Sequence, residues 1–276
     1  MSYQNSGAGV LDQQVCRLSG SQLWVRGPCV VPKAPYVAFL GGSETFGRFV
    51  QAPFPALAQP LVGRACVNLG CANSGLDSLL NDAAVMRVAA AAETVVLQLC
   101  GAQNLSNQYY RVHPRRNDRF LAPSDRLAAL YPEVDFTEFH FTKHLLNTLL
   151  RISPDRFSQI HSALRDVWLD RMERLLRALQ GRVVLLWLRY PEEASQEVGG
   201  GLGADPLLVT RAMIDQVVGG GLGLIEVPVV AAAAQAGEME RMVYGPLQAP
   251  SAEHMPGPAM HRLIAERVAE RLCELG

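Results

Sequence analysis

The chain has 276 residues, of which 49% are hydrophobic and 18% charged, and its formal net charge is -1. That length can bury a large core, and so even a charge balance gives no reason to expect a nucleic-acid or membrane-surface partner. No apolar stretch runs unbroken for the length of a bilayer span, because residues 85–99 contain Arg87 and Glu93 and residues 222–236 contain Glu226 and Pro228.

Residues 1–35 are polar and punctuated by Gly20, Gly27, Pro28, Pro32 and Pro35, which predicts a lead-in with one short strand at residues 23–26. Its start lacks a basic and apolar leader. The six cysteines (Cys16, Cys29, Cys66, Cys71, Cys100 and Cys273) lack CxxC spacing. Reduced thiols, no zinc site and a cytoplasmic location are therefore expected.

The run Tyr36–Leu40 predicts a first strand that stops at Gly41 and Gly42 and delivers Ser43. Residues 48–62 hold Pro53, Pro55 and Pro60, which should allow only short helical pieces. A second strand over residues 65–69 runs into Gly70, Asn73, Ser74 and Gly75. Helical spacing follows over residues 76–92, then a third strand over 94–100 that ends at Gly101 and Asn104. Residues 154–180 predict one long helix, with Ser153 as N-cap and Gly181 at its end. A fourth strand (182–188), a glycine-rich loop (198–203), a helix (205–218), a fifth strand (222–230) and a C-terminal helix (Pro258–Leu275) complete the chain.

This alternation predicts an α/β fold: a doubly wound, five-stranded parallel sheet with helices on both faces. Residues 36–276 are expected to form a single domain, with residues 105–153 as an inserted cap after the third strand.

Ligands of such sheets bind outside the carboxyl ends of the strands, which makes Ser43 the candidate nucleophile. As an alternative, Ser43 only caps the next helix. Read in order, the loops offer Gly-x-Ser-x-Thr, Asn-x-Gly with a later Gly, Gly-x-x-Asn and a His-containing loop. In this the chain resembles the SGNH (GDSL-like) hydrolase superfamily, whose blocks carry a serine, a glycine, an asparagine and a histidine. The segments GGSETFG, NLGCANSGLD, GAQN and VHPRRNDRF are similar, more narrowly, to an uncharacterised bacterial SGNH-like family.

The resemblance implies Ser43 as nucleophile and its N–H as one oxyanion donor. Gly75, or else Gly70, supplies a second N–H, the Asn104 side chain a third donor, and His254 the base. Two positions depart from the pattern. Gly42 stands where the superfamily has Asp, and the last block lacks its Asp-x-x-His-Pro form. Aligning Pro256 and His261 to that block puts Met255 at the base position, whereas taking His254 as base puts Ser251 at the orienting acid. Neither alignment restores a Ser-His-Asp triad.

Within the insertion, Arg111, His113, Arg115, Arg116 and Arg119 form a cationic cluster interleaved with Tyr109, Tyr110 and Phe120. Guanidinium forks suit carboxylate, phosphate or sulfate, and the aromatics suit a sugar ring. The alternative is a solvated loop paired with nearby acids. His140 and His144 have helical ligand spacing without a third ligand. No cofactor or metal is expected. The expected activity is that of a serine esterase or O-acyltransferase acting on a small polar, anionic or carbohydrate ester. The alternative is a catalytically inactive protein that binds an anionic saccharide or nucleotide through residues 111–119.

Overall fold

The computed structural model describes residues 15–33, 35–191 and 201–275. A two-stranded ribbon, β1 (Val15–Cys16) with β2 (Val25–Arg26), leads into β3 (Tyr36–Leu40), α1 (Ser43–Phe46), α2 (Phe54–Val62), β4 (Ala65–Asn68), α3 (Leu76–Asn81), α4 (Ala83–Ala91) and β5 (Thr94–Gln98). After these come a hairpin of β6 (Tyr110–Val112) and β7 (Phe120–Pro123), then α5 (Asp125–Leu130), α6 (Thr142–Ile152) and α7 (Pro154–Ala178). The chain closes with β8 (Val183–Arg189), α8 (Arg211–Val217), β9 (Gly223–Pro228), α9 (Ala249–Glu253) and α10 (Pro258–Leu275).

The expected five-stranded sheet is observed, with order β4-β3-β5-β8-β9 and every neighbouring pair parallel. Successive strand residues point to opposite faces, and here both sets are apolar. Ala38, Leu40, Val95, Leu97 and Leu185 pack beneath α3, α4, α7 and α8, while Val37, Phe39, Val96, Val184 and Leu186 pack against α2 and α10. The order reverses between β3 and β5. Their carboxyl ends therefore open a crevice at the point where such sheets bind ligands.

Several expectations need correction. The helix expected over 76–92 breaks at Asp82, whose backbone is extended and whose Oδ1 accepts the N–H groups of Ala84 and Val85. Its Oδ2 accepts from Ser21 Oγ at 2.7 Å and Gln22 N at 2.8 Å, so the break ties the N-terminal ribbon to the sheet domain. The helix expected from 205 starts at Arg211, because the Thr210 hydroxyl accepts Met213 N–H and caps it there. The proline-rich segment holds the nine-residue α2, with Pro55 in its first turn and Pro60 inside it. The long helix α7 is capped by Ser153 as expected and ends before Gly181, which has φ +69°. Cys16 and Cys29 are joined by a disulfide, against the expectation of reduced thiols. Residues 198–200 of the glycine-rich loop expected at 198–203 lie outside the described residues. Among the described residues no helix is long and apolar enough to cross a membrane.

Candidate active site

Ser43 opens the single helical turn α1 directly after β3. The turn is pinned by Gln98, the last residue of β5. Its Oε1 accepts Gly42 N–H at 3.2 Å, Thr45 N–H at 3.1 Å and the Thr45 hydroxyl at 2.6 Å, while its Nε2 donates to Glu44 Oε2 at 2.7 Å. This close approach explains Gly41, where a Cβ would lie 2.2 Å from Thr45 Oγ1 and 2.6 Å from Gln98 Oε1. Asn68 braces the turn from β4 by donating to Thr45 O at 2.8 Å. Arg26 of the N-terminal ribbon is 3% exposed and donates to Phe46 O, Gly47 O, Val50 O and Gln51 O. Burial lowers its pKa to about 10.

A cavity of about 170 Å³ lies at the carboxyl edge and brings Ser43, Asn73, Asn104 and Gln98 together. Ser43 Oγ accepts the N–H of Asn73 at 3.1 Å. Asn73 holds φ +60°, a left-handed conformation that Asn tolerates, and this turns its N–H toward the serine. Ser43 N–H occupies the first position of α1, outside that helix's own hydrogen-bond ladder. Asn104 Oδ1 accepts the Thr142 hydroxyl at 2.7 Å, which fixes the side chain and leaves its amide N–H groups as the donors.

The two glycines expected to donate are already engaged. Gly75 N–H donates to Asn117 Oδ1 at 2.9 Å and to Ser78 Oγ at 3.2 Å, and Gly70 N–H donates to Asn68 Oδ1 at 2.8 Å. Gly70 is required for packing instead, since a Cβ there would sit 2.3 Å from Phe46 N. Asn117, which sequence reasoning missed, is fully buried. It accepts from both Gly75 N and Ser78 N and donates to His113 O, joining the arginine loop to the start of α3.

No histidine lines this cavity among the described residues. His254 is exposed at the end of α9. His261 lies in the opposite helix layer, fully buried, where its Nδ1 accepts Phe54 N–H at 3.1 Å and its ring stacks on Phe54. Burial, helped by the charge of Arg26, pushes its pKa down to about 3, which keeps it a neutral acceptor at the start of α2. His140 precedes α6 and His144 lies within it, so the two do not share the helical face their spacing suggested.

The cavity's titratable walls include Glu44, Asp118, Asp205 and Tyr190, all missed in the sequence reading as site residues. Burial raises the Glu44 pKa, the Gln98 hydrogen bond opposes it, and the Asp205 charge adds to it. Burial likewise raises Asp118, against the pull of Arg116 and Arg119, and its Oδ1 has no hydrogen-bond partner. Asp205 touches solvent at the cavity rim, yet the protein crowded around its carboxyl raises its pKa against the charge of Lys143. Burial, then the charges of Glu44 and Asp205, raises Tyr190 well above the ordinary phenol value.

The arginine loop faces another way. His113, Arg115 and Arg116 line a second cavity of about 480 Å³, together with Arg17 and Trp24 of the N-terminal ribbon. Arg111 is exposed on β6, and the Arg119 guanidinium stacks 4.3 Å from the Phe141 ring centroid. A third cavity, of about 690 Å³, runs beneath the N-terminal ribbon beside Pro28, Pro53 and Ala56, and Ser43, Asn73 and Asn104 are not among its lining residues.

No curated protein sequence matches the chain. Among solved structures it is similar to a lipase from a goat rumen metagenome, at 12% identity over 86% of this chain and 97% of that one, with a TM-score of 0.41. It is also similar to a family two carbohydrate esterase from Clostridium thermocellum, at 13% identity over 91% and 67% of the two chains, with a TM-score of 0.42. A lipase/acylhydrolase from Enterococcus faecalis matches at 12% identity over 88% and 97%, with a TM-score of 0.39. The profile of a family described as Domain of unknown function (DUF6473) matches residues 1–276, and the chain belongs to that family.

Proposed function

We propose that the chain is an SGNH-like acyl hydrolase or O-acyltransferase that acts on a small polar ester through a Ser43 acyl-enzyme. The observation that carries this reading is the hold on Ser43. Its hydroxyl oxygen accepts the N–H of Asn73 inside a polar cavity whose wall also contains Asn104. With the oxygen serving as acceptor, the hydroxyl proton is the group left to be given up. As the ester carbonyl becomes tetrahedral, Ser43 N–H and the Asn104 amide take the oxyanion, the role first expected to include Gly75.

The proton acceptor in this reading is Asp118 rather than His254. Asp118 lines the cavity, its Oδ1 has no hydrogen-bond partner, and its raised pKa brings it nearer the range in which a base works at neutral pH. Asp118 gives that proton to the departing alkoxide, whose loss as the alcohol leaves the acyl-enzyme; water or an acceptor hydroxyl then attacks the acyl carbon, its proton passes through Asp118 to Ser43 Oγ, and the Ser43–acyl bond breaks to complete hydrolysis or transfer.

The test is labelling of the purified chain by a fluorophosphonate probe, paired with turnover of short-chain aryl acetates. Labelling of the wild type and its loss in Ser43→Ala is the expected result. An unlabelled, inert wild type beside an active control hydrolase would overturn it. Asp118→Asn should abolish turnover and His254→Ala should leave it standing; the reverse would return the base to the imidazole. A second reading, an SGNH-like protein that binds without catalysis, is favoured by the absence of any histidine from the described cavity wall. Ligand binding unaffected by Ser43→Ala in an unlabelled protein would support it.

A further inference from the structure

The second cavity is built by two segments far apart in sequence. Arg17 and Trp24 come from the N-terminal ribbon, Arg115 and Arg116 from the loop between β6 and β7, and Phe46 and Ala72 form part of the wall between them. The loop is shaped for the task by His113, whose Nδ1 accepts the N–H groups of both Arg115 and Arg116 and folds the backbone into a tight turn. Arg17, Arg115 and Arg116 are exposed and make no salt bridge among the described residues, although Arg116 lies close enough to Asp118 to lower that carboxyl's pKa. Trp24 is 52% exposed, with the Arg17 guanidinium 5.7 Å from its ring centroid. A flat apolar platform with three guanidinium groups about it is a complement to a ring that carries a negative charge.

The position of this cavity ties it to Ser43. Cys71 and Ala72 line it, while Asn73 and Ser74, the next two residues, line the Ser43 cavity. Phe46 belongs to the same helical turn as Ser43. We infer that the second cavity is a binding subsite for a ring bearing a carboxylate, which forms the part of the substrate remote from the ester attacked at Ser43. The substrate link rests on the acyl-transfer reading above; the subsite itself does not. Two sources supply such a ring, a uronic acid or an aromatic acid, and both present the same chemistry to these residues.

Trp24 provides the readout, because Trp168 is fully buried and Trp187 is 8% exposed. Intrinsic fluorescence of the full chain is titrated with glucuronate and with 4-hydroxybenzoate, against glucose and 4-hydroxybenzyl alcohol as neutral counterparts. Saturable quenching by at least one acid and by neither neutral ring is expected. Binding should weaken at least about tenfold in Arg115→Ala/Arg116→Ala, and again with added salt. Because both arginines are exposed, the double variant should fold; the charge-reversed pair Arg115→Glu/Arg116→Glu should abolish the quench. Whichever acid binds identifies the source. Quenching in Ser43→Ala should match the wild type, so failure of the catalytic reading and failure of the subsite are separate results. No saturable quench with either acid, equal quench by the neutral rings, or full binding in the double arginine variant would overturn the inference.

Discussion

Cys71 and Ala72 line a cavity walled by arginines, whereas Asn73 and Ser74 line one walled by carboxylates. The two differ in how they hold charge. Arg17, Arg115 and Arg116 stand exposed, where a guanidinium keeps its hydration. Glu44 and Asp118 sit where desolvation disfavours the charged form. Arg48 is tied to the turn that the cavities share: its Nη1 donates to Asn73 Oδ1 at 3.4 Å, and its charge is felt by Asp118. On the proposed reading the contrast separates two tasks, attraction of an anionic ring on one side and proton handling on the other, joined by a single turn of chain.

Variants that act on one cavity alone test this separation. Ser43→Ala has the largest expected effect, a loss of about a thousandfold or more in kcat/KM with ring-acid binding unchanged, read by steady-state kinetics and Trp24 fluorescence. Gln98→Ala comes next. It leaves Gly42 N–H, Thr45 N–H and the Thr45 hydroxyl without their shared acceptor. Denaturant unfolding should show a loss of about 2–4 kcal/mol, since each buried group left unmade costs on the order of 1–3 kcal/mol. Turnover should drop roughly a hundredfold as the Ser43 turn loses its register. Stability or turnover like the wild type would show that the turn does not depend on β5.

The strand ends were legible in the sequence because glycines and small polar residues mark where a buried strand must stop. The sheet is observed as expected, and Ser43 and Asn104, both placed at strand ends, line one cavity. The same reading did not deliver Gln98, which reads as one more strand residue and meets Gly42 across 56 positions of sequence. Gly75 illustrates the same limit from the other side. A glycine before a helix is easily assigned a free N–H, but Asn117 takes it from a loop 42 residues away. The carboxylates escaped notice because Glu44, Asp118 and Asp205 share no spacing or motif; only the closure of the crevice gathers them. The lead-in was equally opaque, since neither the burial of Arg26 nor the cavity facing Trp24 has a local pattern.

Asp82→Ala sharpens the comparison from the arginine side. It removes the cap of α4 and the acceptor for Ser21 and Gln22, which precede Trp24. A loss of about 1–2 kcal/mol is expected by thermal or denaturant unfolding. Ring-acid binding should weaken while fluorophosphonate labelling of Ser43 persists. Burial of Asp82 raises its pKa, but the hydrogen bonds from Val85 N–H, the Ser21 hydroxyl, Gln22 N–H and Ala84 N–H outweigh that and hold it below the ordinary value. Its stabilisation is therefore present above the ordinary carboxylate range and is lost as pH falls through the lowered pKa. In Asp82→Ala that acid-side loss should shrink.

Asp118→Asn has the smallest expected effect on stability, and the opposite sign. Burial raises the Asp118 pKa despite Arg116, Arg119 and Arg48, so the folded state binds its proton more readily than the unfolded chain. Such a group contributes stability that is full below the unfolded carboxylate pKa and is lost as pH rises through the folded value. At neutral pH the ionised side chain is a net cost, because the three guanidinium groups do not offset its desolvation. Asparagine is close in shape and carries no charge to desolvate, so the variant should gain about 0.5–1 kcal/mol at pH 7, the scale of a single favourable charge substitution. The gain should shrink toward zero below pH 4, where wild-type Asp118 is protonated as well. Urea unfolding across that pH range measures it. A variant less stable than the wild type at pH 7 would mean that the arginines hold Asp118 as a structural ion pair, and the base in the Ser43 cavity would have to be sought elsewhere.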